Sequence, residues 1–276
     1  MRTSRATSLI SVTAGASLLL AILASPAFAQ ANGAVPAGTA VDAALSMANM
    51  LDGAGGGISS DELIGALEDA AEAGQPMALY QLGLMYESGE GVAKDPVKAF
   101  GYFSQIADEH ADAAPKGVEA DIVAQSFLKM GEYYEKGLPE AGIAKDEQES
   151  NRLILHAASY FGDADAQYRV GMRYLGPQNT GANSLQSARW LSLAARKGHA
   201  GAQAHLGKLL FDGDGIEANP VEGLMWLTIA SRRSANTPDE AWIQVMLNEC
   251  ASIATADQRA HAVEMADSLG TRFGGL

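Results

Sequence analysis

Apolar positions between residues 200 and 230 follow two helical stripes that are separated by a glycine turn. The first stripe recurs every three or four residues, as one face of a helix does, and consists of Ala202, Leu206, Leu209 and Leu210. Gly213 and Gly215 then interrupt the pattern, because glycine readily adopts the positive φ angles of a tight turn. Asn219 and Pro220 are a typical N-cap and first helical residue, and the second stripe follows with Val221, Leu224, Leu227 and Ala230. The pattern predicts a helix–turn–helix unit that must bury its stripes against neighbouring units.

Similar units recur upstream, each with a glycine inside its first helix. The matching segments lie at 76–86, 123–134 and 163–174, and all four units align on Gly83, Gly131, Gly171 and Gly207. A glycine inside a helix costs about 1 kcal/mol relative to alanine, so its recurrence needs a packing reason. We interpret the four residues as structural glycines that let the second helix of each unit approach closely. The repeats are expected at about 76–110, 119–162, 163–198 and 199–233.

The pattern along the chain predicts an all-α fold with essentially no β-sheet. The repeat region is expected to span residues 61–236 and to form a right-handed α-solenoid of helix–turn–helix repeats. Residues 237–276 contain two further helical stretches with apolar positions such as Trp242 and Met246. We interpret these stretches as C-terminal capping helices that cover the open face of the last repeat.

The first 29 residues have the pattern of a secretory signal peptide. Arg2 and Arg5 precede an apolar run from Leu9 to Ala24, and an Ala-Phe-Ala cleavage site ends at Ala29. The run contains serine and threonine and is short for a bilayer span of about 20 residues, which favours a cleaved signal peptide over a membrane anchor. The protein is therefore expected to be exported, with no membrane insertion after cleavage. Residues 30–60 are rich in glycine and alanine and are expected to be weakly ordered.

The net negative charge of the chain limits the classes of molecule that it could bind. Loss of the two N-terminal arginines leaves 17 basic and 33 acidic side chains, so the exported chain carries 17 − 33 = −16. Such a chain repels nucleic acid and anionic lipid surfaces, and it would suit a basic surface on a protein partner. The other interpretation is that the carboxylates mainly solvate the outer helix faces, and the sequence leaves both open.

Candidate catalytic and metal-binding motifs do not have the required spacing. The turn that begins at Asp212 resembles the start of a calcium loop, but such a loop needs glycine at its sixth position and a carboxylate at its twelfth. Here the glycine, Gly215, is fourth, and the twelfth residue is Gly223. The five histidines are not at zinc-binding spacing, and no serine lies in a GxSxG elbow. Cys250 is the single cysteine, so no intrachain disulfide can form, and we interpret it as a small core residue. We therefore predict no catalytic residue, no metal and no cofactor.

Binding residues are expected on the first helices, opposite the buried stripes. Positions three and four residues apart share that face, and in a curved stack of repeats one helix layer lines a concave groove. The candidates for partner binding are Tyr80, Leu84, Glu132, Tyr168, Met172, Lys208 and Phe211. The alternative is that these side chains pack against the next repeat. The insertion at 110–119 is a further candidate surface, or else a solvated loop.

The repeat pattern resembles that of the Sel-one-like repeats, which are relatives of the tetratricopeptide repeats. The likeness is carried by an AxAQxxLG helix, a GxG turn and a WxxxAAxxG helix, as in ARWLSLAARKGHAGAQAHLGKLLFDGDG at 188–215. The order of these pieces between residues 61 and 266 is also similar to a family of alphaproteobacterial exopolysaccharide regulators. The segment 30–60 has no part in that likeness.

The second resemblance implies a periplasmic, non-catalytic scaffold whose partner is the periplasmic domain of a membrane sensor histidine kinase. Such a protein inhibits its two-component system and negatively regulates exopolysaccharide synthesis and related programmes. The resemblance also implies that the signal is loss of the inhibitor, through proteolysis or weaker binding at low pH. The alternative class is an accessory or enzymatic factor that acts on envelope polysaccharide or peptidoglycan. Recovery of a kinase from the envelope fraction would separate these two classes.

The signal-peptide pattern predicts that the mature chain begins at Gln30. Cleavage after Ala29 would free the protein from the membrane, so osmotic shock should release it. Mass spectrometry of the shock fluid should find a chain that starts at Gln30. Recovery of an intact segment 1–29 in the envelope fraction would contradict the prediction.

Overall fold

The computed structural model describes residues 60–176 and 183–270. Within these residues the chain forms eleven α-helices, and the β structure there is limited to one bridge between Leu138 and Ile143. The predicted all-α repeat fold is therefore confirmed. The expected signal peptide at 1–29 and the expected weakly ordered segment, apart from its last residue, lie outside the described residues.

The chain divides into two compact units, residues 1–94 and 95–276. The described part of the first unit consists of helix α1 (Ser60–Glu72) and helix α2 (Pro76–Ser88). A tight turn joins them, in which Gly74 has a φ of 76°. Gly83 is buried within α2, next to the fully buried Leu82.

The second unit is built from helix pairs, in which we call the earlier member the first helix of a repeat and the later member the second helix. Its helices are α3 (Pro96–His110), α4 (Val118–Lys136), α5 (Glu147–His156), α6 (Ala164–Leu175), α7 (Ser184–Arg196), α8 (Ala200–Asp212), α9 (Pro220–Arg233), α10 (Glu240–Ile253) and α11 (Ala256–Gly270). A 3₁₀ turn at Pro139–Ala141 precedes α5, and a π turn at Ala157–Phe161 continues it. The first helices α4, α6 and α8 pack on the second helices α5, α7 and α9.

Polar side chains cap the start of α3 and of the second helices α5, α7 and α9. Backbone N–H groups in the first turns of α3, α5, α7 and α9 donate hydrogen bonds to Asp95, Asp146, Asn183 and Asn219, respectively. Each cap satisfies donors that a helix end leaves unpaired, and it stabilises the helix by typically about 1 kcal/mol. The turn before α9 needs Gly213, which has a φ of 70° and would place a Cβ only 2.7 Å from the Cβ of Ala218.

Glycine sets the distance between the two helices of a repeat. A Cβ on Gly131 would lie 2.6 Å from Cγ1 of Ile154, and one on Gly171 would lie 2.8 Å from Cγ of Leu191. In the last repeat, a Cβ on Gly207 would lie 2.7 Å from the carbonyl oxygen of Gly223. Close-packed interiors have no room for such contacts, so the missing side chain is what allows the helices to pack at this distance.

The residue that the second helix places at this crossing is also small, a feature that was not identified from the sequence. The fourth residue of each second helix is small and buried, and these residues are Ser150, Ser187 and Gly223. A Cβ on Gly223 would lie 2.6 Å from the carbonyl oxygen of Gly207. Helices α8 and α9 therefore meet backbone to backbone where they cross.

Buried glutamines join consecutive repeats. Nε2 of Gln167 donates to the carbonyl oxygen of Ala158 at 3.1 Å, and Nε2 of Gln203 donates to that of Ala195 at 3.0 Å. Each glutamine belongs to a first helix, and each acceptor lies near the end of the preceding second helix. Because a buried carbonyl without a donor costs about 1–3 kcal/mol, these bonds favour one way of stacking a repeat on the previous one.

The last two helices cover the apolar face of α9. Both α10 and α11 pack against it, and Ile243, Cys250 and Ala266 are almost fully buried. Cys250 is thus a small core residue, and burial raises the pKa of its thiol. In residues 60–176 and 183–270, no helix is both long and apolar enough to cross a membrane.

The helix crossing in the last repeat gives a stability prediction. Gly207→Ala should lower the free energy of unfolding by on the order of 1–3 kcal/mol, because the new methyl group would meet the backbone of Gly223, which cannot rotate away. Gly101→Ala is the matched control, since a Cβ there meets no atom within 4 Å. The control should gain up to about 1 kcal/mol from helix propensity. Urea denaturation of both variants measures the difference, and a shift of the same sign in both would contradict close approach as the role of Gly207.

Candidate protein-binding surface

Two of the predicted binding residues lie on α2, in the first unit. Tyr80 is 5% exposed and Leu84 is half-buried. A ring as deeply buried as that of Tyr80 offers little area to a partner. The other five predicted residues all lie in the second unit.

Glu132 takes part in ion pairs between repeats. Its carboxylate contacts the guanidinium of Arg169 on α6, and Arg169 also lies 4.0 Å from Glu135. One turn further along α6, Arg173 lies 3.8 Å from Glu135 and donates to Oγ of Ser150 at 3.0 Å. These contacts join α4 and α5 to α6, so Glu132 contributes to repeat stacking. The two arginines were not identified from the sequence, although their four-residue spacing indicates a shared helix face.

The remaining predicted residues lie at the edge of the core and are half-buried. Tyr168, Met172 and Phe211 pack against the hydrophobic core cluster that extends from α7 to α11. The ammonium group of Lys208 contacts the carboxylate of Asp212, one turn along α8. These side chains are therefore used partly in packing and remain partly accessible, and their role in partner binding stays a prediction.

The insertion at 110–119 lies beside the second helix of the following repeat. Nδ1 of His110 is 3.2 Å from Oε1 of Glu119, which links the end of α3 to the start of α4. The hydroxyl of Tyr160, in the π turn, donates to the carbonyl oxygen of Ala113 at 3.4 Å. The ring of Tyr160 also stacks on that of His156, with centroids 5.3 Å apart. The insertion is thus held against the second-helix layer.

Four rings from α6, α8 with its N-cap, and α10 form a continuous row, which we call the ring strip. In order along the row they are His199, Tyr168, His205 and Trp242. The ring centroid of Tyr168 lies 4.3 Å from that of His199 and 5.9 Å from that of His205. The rings of His205 and Trp242 are 5.2 Å apart, and neighbouring planes are tilted by 30° or 31°. All four side chains are half-buried. The ring strip therefore joins two repeats to the C-terminal helices.

Hydrogen bonds fix both ends of the ring strip. Nδ1 of His199 accepts from the backbone N–H of Ala202 at 3.1 Å, so this histidine caps α8. An accepting Nδ1 places the proton of the neutral ring on Nε2, which lies 3.3 Å from Oδ1 of Asp165. At the other end, Nε1 of Trp242 donates to Oδ1 of Asp239 at 2.8 Å. Each end of the ring strip therefore carries a carboxylate.

Burial is the main cause of the pKa shifts of the ring-strip side chains. It lowers the pKa of His199, although the carboxylates of Asp165 and Asp239 oppose this shift. Burial also lowers the pKa of His205, and the neighbouring His199 adds to the effect. Burial, followed by the charge of Asp239, raises the pKa of the Tyr168 hydroxyl. At neutral pH the ring strip therefore consists of uncharged rings beside two carboxylates.

The accessible part of this surface is aromatic and negatively charged. Half-buried aromatic rings offer apolar area, and the flanking carboxylates favour positive charge. In the part of the chain that the structure describes, no group of three or more His, Cys, Asp or Glu side chains is placed to hold a metal ion.

Paired helices, a glycine at each crossing and glutamines between pairs define a helical repeat protein of the Sel1 type. A model of the Sel1 repeat matches residues 76–110, 128–159, 164–199 and 200–234, and the chain belongs to this family. Repeats of this kind generally mediate contacts between proteins. The crystal structure of a Sel1 repeat protein from Oxalobacter formigenes is similar, with a TM-score of 0.58 and 26% identity over 81% of this chain and 86% of that one.

Two curated relatives carry the same regulatory name. The chain is 30% identical over 209 residues to the exopolysaccharide production negative regulator of Rhizobium meliloti (strain 1021), which covers 76% of this chain and 75% of that protein. It is 29% identical over 138 residues to the protein of that name from Rhizobium leguminosarum bv. viciae, and there it spans about half of the relative, 51%. The resemblance to this regulator, ExoR, is thereby confirmed.

Protonation of the ring-strip histidines should weaken the fold as the pH falls. Because burial lowers the pKa of both His199 and His205, the unfolded chain takes up protons before the folded chain does. Their contribution is fully present above about pH 6.5, the ordinary histidine pKa, and is lost as the pH falls towards the lower values of the folded state. His205→Phe keeps a ring in the strip but cannot titrate, so its stability should fall less between about pH 7.5 and about pH 5.5.

Urea denaturation at each pH measures this effect, with His261→Gln as the control. His261 is exposed on α11, so this variant loses a histidine outside the ring strip and should follow the wild-type profile. Burial raises the pKa of Asp163, which acts in the opposite sense, but this carboxyl is common to all three proteins and its effect cancels. Parallel profiles for wild type and His205→Phe would contradict the prediction.

Proposed function

We propose that the protein is an exported, non-catalytic scaffold that restrains a two-component sensor histidine kinase by binding its periplasmic domain. Through this restraint it negatively regulates exopolysaccharide synthesis and related programmes. The observation that carries the proposal is the likeness, over 76% of the chain, to a protein named exopolysaccharide production negative regulator. The repeat fold supports a role in binding, because repeats of this family generally contact other proteins.

The repeat architecture suits inhibition by binding. Helix pairs held by glycine contacts and joined by buried hydrogen bonds present a surface that is formed before the partner arrives. Little conformational entropy is then lost on association. A surface that binds the quiet conformation of a kinase domain better than the active one shifts the kinase towards the quiet state. Loss of the inhibitor, or weaker binding at low pH, would release the kinase.

Export to the periplasm belongs to the same proposal. The basic, apolar and Ala-Phe-Ala regions within residues 1–29 support it. The sensor domain of such a kinase lies outside the cytoplasmic membrane, so an inhibitor of that domain must cross the membrane to reach it. The acidic character of the chain suits a basic surface on that domain.

A genetic experiment tests the proposal. Deletion of the gene should raise exopolysaccharide output in cells that carry the kinase, because the restraint is lost. The same deletion in a strain without the kinase should change nothing, and a copy of the gene on a plasmid should restore the low output in the first strain. An equal rise in both strains would overturn the proposal.

A pull-down from the envelope fraction tests the partner directly. Tagged protein should recover the sensor kinase, and the same protein after thermal unfolding is the control for nonspecific capture. Recovery of peptidoglycan or polysaccharide in place of the kinase would favour the alternative class, a factor that acts on envelope polymers.

A further inference from the structure

The two carboxylates at the ends of the ring strip act on the same ring. Asp165 lies 3.3 Å from Nε2 of His199, and 53% of its side chain is exposed. Asp239 is also exposed, and both carboxylates influence the titration of His199. Asp239 stands at the N-cap position of α10 without capping it, since its Oδ1 accepts from the Trp242 indole N–H. The ring strip is therefore bracketed by two exposed carboxylates, one of which stands at a helix N-cap without capping the helix.

The hydrogen bonds that these carboxylates accept come from uncharged donors. The donors are Nε2 of Gln125, at 3.3 Å from Asp165, and the indole of Trp242. Nε2 of the neutral His199 ring also lies 3.3 Å from Asp165. Neutral donors orient a carboxylate but leave its charge in place. A cation that approaches the ring strip would meet this charge.

Two basic side chains on α6 and α8 are paired with other carboxylates. Arg169 acts on Tyr168 from the same helix, but its guanidinium contacts Glu132. Lys208, on α8, contacts Asp212. Neither cation is therefore held by the carboxylates that flank the ring strip.

We propose that the ring strip, together with Asp165 and Asp239, receives an arginine side chain from a basic segment of a protein partner. A guanidinium stacks on aromatic rings and pairs with carboxylates at the same time, which an ammonium does less well. Half-buried tyrosine and tryptophan are the residues that most often dominate interface energies. The net charge of −14 adds a long-range attraction for a basic partner. The inference rests on the proposed function only for the identity of that partner.

A pair of peptides tests the recognition of charge. The probe is acetyl-Gly-Arg-Gly-Arg-Gly-amide, and its control replaces both arginines by citrulline, which keeps the shape but carries no charge. The readout is the indole N–H signal of Trp242 in nuclear magnetic resonance titrations, identified among the three tryptophans with Trp242→Phe. The arginine peptide should bind at least about fivefold more tightly than the citrulline peptide, as expected for a cation on an aromatic surface.

Matched variants test the residues. Asp239→Asn keeps an acceptor for the Trp242 indole but removes the charge, and should weaken the arginine peptide about twofold to fivefold. Tyr168→Leu should weaken it by a similar factor, whereas Tyr168→Phe retains the ring and should bind as wild type does. Asp257→Asn removes the same charge from an exposed position on α11 and should have no effect. Thermal melts of each variant establish that the fold is retained.

Three results would overturn the inference. The first is equal affinity for the arginine and citrulline peptides, and the second is equal binding by Asp239→Asn and Asp257→Asn. The third is a ring strip with another occupant, shown by tighter binding of the neutral oligosaccharide cellopentaose or by self-association that Tyr168→Leu abolishes.

The purified periplasmic domain of the sensor kinase separates this inference from the proposed function. If Asp239→Asn and Tyr168→Leu weaken binding of both the peptide and the kinase domain, both proposals stand. Peptide binding without kinase binding would support the ring strip and refute the kinase as partner. Kinase binding that neither variant changes would refute the ring strip and leave the proposed function standing.

Discussion

Each helix pair from α4 to α9 is held at a separation that a single methyl group would prevent. Glycine in the first helix gives up about 1 kcal/mol of helix propensity, and the facing helix occupies the space that a side chain would take. Ile154 fills that space at Gly131, and Leu191 fills it at Gly171. At Gly207 the backbone of the partner helix fills it. Packing at these crossings therefore outweighs the local preference for alanine.

The remaining contacts between repeats depend on this separation. Gln203 reaches the carbonyl oxygen of Ala195 only if the first helix of one repeat lies close against the end of the previous second helix. The pair formed by Glu132 and Arg169 similarly spans two first helices. Because hydrogen bonds and ion pairs weaken steeply with distance and misalignment, a wider crossing would loosen them together. The geometry of the ring strip depends on these contacts between repeats, since its four residues come from different helices.

The repeat register and the helix-rich fold could be predicted from the sequence because both are local signals. Gly171 recurs at a fixed place within an apolar stripe, and Asn219 precedes a proline-initiated helix. The small residue opposite each glycine was also visible in the sequence, as the fourth residue of each second helix, but it has meaning only once two helices are known to cross there. The ring strip could not be predicted from the sequence, for a different reason. Tyr168 and Trp242 are far apart in sequence, and only the stacking of α6, α8 and α10 brings their rings into one row.

Residues on the first helices of successive repeats have different roles, and the difference follows from what each helix contacts. Glu132 faces another repeat with arginine in reach, so its carboxylate is used in stacking. Tyr168 and His205 face the junction with α10, where the repeat pattern ends and Trp242 comes from a helix outside it. Residues at such a junction are not constrained by the register that a repeat must share with its copies. A chain built from similar units can therefore acquire a distinct binding surface at the end of its array while the interior glycines and glutamines stay fixed by packing.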